Sequence, residues 1–286
     1  MERLLRAIYQ PQNVYCLHPD LKSSAFFMYT IHRLASCFPS NVFVPAKLAN
    51  VQWGNFSRLM ADVYCMQDLL YHPVQWRYLL NLCGQDFPLK TNLEIVRQMK
   101  NLNGKNLIEG EVVGPGFKNF GWRTSFHFYS NSSDGYNTPL NSGITKRPPL
   151  NLTIYKGDNY MAATRGFVDF ILNDPVADAF LQWLEDTYLP EETFPNTLHR
   201  LKGAPGGEEA HEMATSNIRF RKWAFSPVNP TCRGKYVREL CIFESNYLEH
   251  LYNQPHLFVN KFHYDYDPVT MQCMEELLDL RSRQIL

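Results

Sequence analysis

The sequence predicts an α/β fold in which a mostly parallel sheet is covered by helices on both faces. Three observations predict it. Short apolar runs bounded by turn residues recur along the first half of the chain: Asn13 to Leu17 (NVYCL), Asn41 to Val44 (NVFV) and Arg77 to Cys83 (RYLLNLC). Helical segments lie between them, over Ser24 to Ser36 and Ser57 to Tyr71. The chain has 286 residues, of which 45% are hydrophobic and 20% charged, enough to bury a core and too apolar for disorder. Strands alternating with helices need long crossovers, and those crossovers place helices over the sheet.

Each element has a local reason. In the second helix, Leu59, Val63, Met66 and Leu70 recur at helical spacing and form one apolar stripe, with Asp62 and Asp68 off it. From about residue 110 to 150 helical periodicity disappears. Gly114-Pro115-Gly116, Asn131 to Gly135 and Pro148-Pro149 crowd this stretch with turn formers, so it reads as an irregular binding loop or lid. Helices return over Pro175 to Tyr188 and near Glu191 to Arg200. Asp267-Pro268 then puts a capping acid before a proline at the first helical position, opening a last helix through about Arg283. There is no internal repeat and no low-complexity linker, and one domain over 1–286 is the simplest organisation.

Charge excludes some functions. Lys+Arg and Asp+Glu number 28 each, so nothing electrostatic points to nucleic acid or an anionic membrane surface. No run approaches the roughly 20 apolar residues of a membrane span, and the N-terminus has no signal-peptide core. Seven cysteines include no C-x-x-C pair, which argues against structural zinc. With sequons at Asn55, Asn131 and Asn151, they point instead to an oxidising, secretory compartment. The odd cysteine count and the missing targeting segment lead us to expect a piece of a longer chain.

Asp265-Tyr266-Asp267 has the form of the D-x-D that holds Mn²⁺ in many sugar-nucleotide transferases. Capping of the last helix explains Asp267 without a metal. No G-x-G-x-x-G, Walker A or G-x-S-x-G stands at a strand–helix junction, and no His-x-x-x-His pair lies on a helix. The residues alone reach a secretory α/β enzyme of unstated reaction.

Longer motifs go further. ERLLRAIYQPQNVYCLHPDLK, YLLNLCGQDFPLKTNLEIVRQMK, QWLEDTYLPEE, YVRELCIFE and HLFVNKFHYDYDP follow in order from residue 2 to the end. Together they resemble the core 2/I-branching β-1,6-N-acetylglucosaminyltransferases of glycosyltransferase family 14. The resemblance implies a GT-A-like catalytic domain, with the tail, membrane anchor, stem and first strand absent from this chain. It also implies an inverting, metal-independent transfer of N-acetylglucosamine from UDP-GlcNAc, a substrate rather than a cofactor. The acceptor would be the 6-hydroxyl of a galactose or N-acetylgalactosamine in an O-glycan or glycoprotein. The implied location is the Golgi lumen, with the membrane reached only through an anchor.

The same resemblance assigns residues. Glu192, in LPEETF, falls at the general base; acids in a first helical turn are otherwise explained by the macrodipole. Arg238 and Lys261 match two cations that contact the diphosphate in place of Mn²⁺, although isolated cations are commonly surface charges. Asp20 matches an acid at a strand end that binds uridine, and Trp53 an aromatic near the donor, with a core role as the alternative. On the acceptor side, Glu109 and Lys118 match an acid and a base, and Trp223 an aromatic platform. There the chain departs from the family: Gly121 stands for an arginine, Phe225 for a tyrosine, and TFPNT, with Pro195, for FLWAT. A proline there is expected to end or bend the helix carrying the base. The implied disulfides are Cys16–Cys65 and Cys232–Cys241, with Cys83 a buried free thiol. Cys37 and Cys273 match cysteines paired with residues before this chain. A peptide xylosyltransferase and a non-catalytic glycan- or UDP-binding relative are the alternative readings.

Overall fold

The computed structural model describes residues 1–114, 120–130, 139–208, 217–226 and 231–284. The chain divides into two compact units. One comprises Pro11–Leu80 and Gly104–Thr215, here the larger unit; the other comprises Met1–Gln10, Asn81–Asn103 and Ser216–Leu286, the smaller unit. Both mix helices with short strands, an α/β composition.

In the larger unit the first two apolar runs form the strands Tyr15–Cys16 and Val42–Phe43, paired in parallel with Tyr15 opposite Val42. The helix Ala25–Ser36 connects them, opened by Ser24, whose hydroxyl accepts from Phe27 N. The helix Phe56–Leu70 buries Leu59, Val63, Met66 and Leu70, the stripe read from the sequence. Each such side chain contributes about 1.5–3 kcal/mol by leaving water. Ile108, Met161, Phe167, Phe180, Phe194 and Leu198 fill the rest of this core. The third run gives the strand Tyr78–Leu80, antiparallel to Ala162–Thr164.

Several expectations need correction. The stretch from 110 to 150 is not wholly irregular. It holds the strand Glu111–Val112 against Tyr155–Lys156, a short helix Gly121–Thr124, and an antiparallel ribbon of Phe126–Ser130 with Pro139–Thr145. The second ribbon strand exposes nearly all its side chains and carries Asn141-Ser142-Gly143, so it lacks the apolar alternation that would have marked it. The helix expected over Pro175 to Tyr188 ends at Trp183 and continues as a 3₁₀ turn, Leu184–Asp186. The helix expected near Glu191 to Arg200 is two pieces, a 3₁₀ turn Pro190–Glu192 and a helix Phe194–Leu198. Pro195 lies in the first turn of the second piece, where its missing N–H costs nothing.

In the smaller unit Phe258–Asn260 is the central strand of three, parallel to Arg219–Arg221 and antiparallel to Asp86–Pro88. Among the described strands, parallel pairing occurs in this pair and in Tyr15–Cys16 with Val42–Phe43, and a single isolated parallel bridge joins Gly114 to Phe120. A fully buried ion pair joins two of the three strands, Arg219 Nη2 lying 2.9 Å from Asp86 Oδ2. Asn260 Nδ2 on the middle strand donates to Asp86 Oδ1 at 2.8 Å. The last helix, Pro268–Gln284, opens as the sequence indicates: Asp267 accepts from Thr270 N at 3.0 Å.

Candidate functional site

The larger unit carries Glu192, Asp20, Trp53 and Glu109. Glu192 ends the 3₁₀ turn that begins at Pro190, immediately after Leu189 in the left-handed region (φ 53°). That strained entry is pinned by Leu189 N donating to Gly54 O at 3.0 Å. Gly54 itself has φ +77°, and a Cβ there would lie 2.8 Å from the Tyr188 ring, so both conformation and space demand glycine. The Glu192 side chain keeps 29% of its surface exposed, and its Oε2 accepts from Arg123 Nη1 at 2.8 Å.

Around this pair stand aromatic rings from separate segments. Trp122 lies 5.3 Å from Tyr188, and Trp53 meets Tyr188 edge-on at 5.7 Å. Phe128 stacks on Tyr188 at 5.6 Å and lies 6.0 Å from Trp122. The Arg123 guanidinium lies 4.7 Å from the Phe120 ring centre and 5.6 Å from those of Trp122 and Tyr188. Trp53, 46% exposed, is therefore a surface aromatic linked to the Glu192 turn through Tyr188, not a core residue.

Asp20 follows the strand Tyr15–Cys16. Its carboxylate accepts from Lys22 N at 3.1 Å and Val51 N at 3.3 Å and pairs with the Lys22 ammonium. Partial burial pushes its pKa up, but these bonds outweigh it and hold the carboxyl below the ordinary range. Val51 is two residues from Trp53, so Asp20 is fastened to the segment that presents that ring. Cys16 and Cys65 are bonded, with Cα atoms 5.7 Å apart, which ties this strand to the helix Phe56–Leu70.

Next to Glu192 the chemistry is different. Glu191 is buried, and burial pushes its carboxyl up to about 7, against the pull of Arg58. Arg58 is itself held strongly protonated by Asp62 at 2.9 Å. Glu109 contributes its backbone carbonyl to a junction with the helix after Glu192, where Asn196 Nδ2 donates to it at 2.7 Å and to Asp158 O at 3.1 Å. Gly157 N donates to Glu192 O at 3.0 Å, and a Cβ on Gly157 would lie 2.4 Å from Asn196 Nδ2. Lys118 lies outside the described residues, as does the sequon at Asn131.

The smaller unit carries Arg238, Lys261, Trp223 and Phe225. Arg238 and Glu239 form the two-residue tip between the strands Tyr236–Val237 and Leu240–Cys241, both with positive φ (49° and 63°). The bond between Cys232 and Cys241, Cα atoms 5.9 Å apart, closes the loop behind this tip. Trp223 bridges to Leu240 of the same ribbon, and Phe225, 73% exposed, stacks on Trp223 at 5.5 Å. Lys261 is half-buried at the end of the central strand, where Asn260 is its neighbour. Burial lowers its pKa, and Arg238 pushes the same way, against Cys83 and Asp86. The two cations therefore feel one another. Cys83 is half-buried, not buried as expected; its N donates to Asp86 Oδ2 at 2.5 Å, and its Sγ accepts from Asn260 Nδ2 at 3.2 Å. Both oxygens of Asp267 are engaged in the helix cap, with Thr270 and Ser245 as donors. Among the described residues no cluster of His, Cys, Asp and Glu is arranged to hold a metal ion.

Sequence reasoning missed Arg123, Tyr188 and Asn196. For Arg123 a signal existed: it follows Trp122 directly, where the arginine expected before that ring is Gly121. Asn196 lay in the divergent TFPNT, where nothing local distinguishes a buried amide from a surface one.

The Core-2/I-Branching enzyme model, "Branch", matches residues 1–252. The chain belongs to the core-2/I-branching enzyme family. It is similar to the mouse N-acetyllactosaminide beta-1,6-N-acetylglucosaminyl-transferase, 42% identical over 284 residues, covering 99% of this chain and 70% of the relative. It is similar also to the mouse beta-1,3-galactosyl-O-glycosyl-glycoprotein beta-1,6-N-acetylglucosaminyltransferase 4, 39% identical over 293 residues, 100% of this chain and 64% of the relative. The human beta-1,3-galactosyl-O-glycosyl-glycoprotein beta-1,6-N-acetylglucosaminyltransferase is 38% identical over 299 residues, 100% of this chain and 68% of the relative. The chain thus spans about two thirds of the length of these branching-enzyme relatives. Among its described residues no helix is long and apolar enough to cross a membrane.

Proposed function

We propose that residues 1–286 are a single GT-A-like catalytic domain that transfers N-acetylglucosamine from UDP-GlcNAc to the 6-hydroxyl of a galactose or N-acetylgalactosamine in a glycan, in the Golgi lumen. One observation carries the reading: the chain aligns over 99–100% of its length with relatives whose names state β-1,6-N-acetylglucosaminyl transfer.

In this mechanism the Glu192 carboxylate removes the proton of the acceptor hydroxyl. The hydroxyl oxygen bonds to the anomeric carbon as the bond from that carbon to the diphosphate oxygen breaks, inverting its configuration. UDP departs with the electron pair, and Arg238 and Lys261 stabilise its charge, with no metal called for. The mutual repulsion of these two cations supports that role, because an anion between them relieves it. Asp20 and Trp53 serve the donor. Glu109, Lys118, Trp223 and Phe225 serve the acceptor, with Phe225 unable to supply a hydroxyl donor.

The test is transfer from UDP-GlcNAc to a β-1,3-galactosyl-N-acetylgalactosamine acceptor and to a lactosaminide, with and without excess EDTA. Transfer that persists in EDTA and is lost in Glu192→Gln, by about a hundred-fold or more, supports the reading. A strict Mn²⁺ requirement, transfer of xylose instead, or UDP binding without transfer or donor hydrolysis would each replace it.

A further inference from the structure

Among the described residues the Glu192 carboxylate accepts one hydrogen bond, and Arg123 makes it. Exposed ion pairs of this kind contribute little, because two long side chains must be immobilised to form them. Arg123 is not of that kind. Its side chain is 17% exposed, and its guanidinium is held among the rings of Phe120, Trp122 and Tyr188. Its Nε is buried with no hydrogen-bond partner. That leaves the guanidinium fixed by ring faces and committed to Glu192. A planar guanidinium suits such a slot, and an ammonium does not.

The local sequence builds this slot. Phe120 enters the left-handed region (φ 59°) and Gly121, which is buried, starts the single helical turn that ends at Thr124. Arg123 N donates to Phe120 O at 3.0 Å, closing the turn so that the guanidinium returns over its own Phe120. At the far side, Tyr188 is held by Trp53 and Phe128. Gly121 stands where the resemblance implies an arginine before Trp122, and in this chain the arginine after that ring binds the acid.

We propose that Arg123 is a positioning residue for the reaction: it grips Glu192 by Oε2, fixes the carboxylate's rotamer, and leaves Oε1 to take the acceptor proton. The proposal rests on Glu192 being the base. Glu192 keeps 29% of its side-chain surface exposed, so without a clamp its carboxylate would sample several rotamers, and misplacement of a reacting group by about 1 Å costs up to about a hundred-fold in rate.

The experiment compares Arg123→Met, Arg123→Lys, Glu192→Gln and the Arg123→Met/Glu192→Gln double variant, each in the full chain. Methionine keeps the length and the ring contacts but not the charge. The expected result is a kcat about ten- to a hundred-fold lower in Arg123→Met, with acceptor KM and the thermal midpoint near wild type. Arg123→Lys recovers part of the loss, and Arg123→Met adds nothing in the Glu192→Gln background. A raised acceptor KM at unchanged kcat would make Arg123 an acceptor contact and overturn the proposal; so would full activity in Arg123→Met. Should Arg123→Met not fold, Arg123→Lys decides, an unchanged kcat overturning it. Transfer retained in Glu192→Gln would remove the base assignment and the proposal with it, whereas loss there with full activity in the arginine variants removes the positioning role alone.

Discussion

The buried amide of Asn196 donates to the backbone carbonyl of Glu109 at 2.7 Å, and so joins the segment of the proposed acceptor acid to the helix that follows the proposed base. In the family pattern this position is the alanine of FLWAT. The divergence at TFPNT therefore adds a cross-link within the larger unit, and Gly157 is kept free of a Cβ to admit it.

Asn196→Ala removes the amide that donates to two carbonyls, Glu109 O and Asp158 O. Each loss of a buried partner costs about 1–3 kcal/mol. We expect a lower urea midpoint and, with Glu109 less firmly held, a higher KM for acceptor than for donor. Steady-state kinetics and denaturant titration measure both. An unchanged midpoint would mean that water replaces the amide.

Glu191 sets a pH dependence whose sign is fixed. Its folded pKa of about 7 lies above the ordinary 4.5, so between those values the folded protein holds a proton that the unfolded chain releases. Its contribution to stability is complete below about pH 4.5 and is lost as pH rises through 7. Glu191→Gln removes the titration. The stability of wild type relative to Glu191→Gln should decline between pH 4.5 and pH 8, by on the order of 3 kcal/mol at most. Denaturant titrations at the two limits check it, and parallel pH curves would refute it.

For Lys261 the shift is the other way. Burial and Arg238 lower its pKa, and a bound diphosphate would raise it again, so UDP binding should take up protons in the alkaline range. Calorimetry in two buffers of different ionisation enthalpy reads this directly. Lys261→Met should abolish the uptake and weaken UDP binding; uptake that survives the substitution would assign it to another group.

The disulfides differ in reach. Cys232 and Cys241 are 9 residues apart, Cys16 and Cys65 are 49. Loop entropy predicts losses of about 3 and about 4 kcal/mol on replacing each pair by serine. The shorter loop should also affect UDP affinity, since it backs the Arg238 tip, and fluorescence titration with UDP separates that effect from stability.

The elements readable in the sequence were those with a one-dimensional cause. The runs at Tyr15–Cys16 and Val42–Phe43, the stripe on Phe56–Leu70 and the Asp267 cap all follow from local spacing. Two helices, Asn92–Asn101 and Arg165–Asn173, had local signals in their capping threonines, Thr91 and Thr164, which the strand-and-turn pattern around them masked. The motif resemblance supplied the candidate site residues, but not their neighbours. Arg123 and Glu192 are 69 residues apart, and only tertiary structure brings Trp122, Tyr188 and Phe120 around the guanidinium.

The buried pair Asp86–Arg219 also dictates an order of events during synthesis. The strands it belongs to, Asp86–Pro88, Arg219–Arg221 and Phe258–Asn260, are far apart in the chain, and the middle strand is the last made. Until residue 260 has left the ribosome, Asp86 and Arg219 lack the strand that lies between their own. Two charges cannot be withdrawn from water before their partner and its hydrogen bonds are present. The larger unit ends at Thr215 and has no such wait. The smaller unit, assembled from segments far apart in the sequence, therefore closes second, and its earlier strands wait in the nascent protein with this sheet unformed.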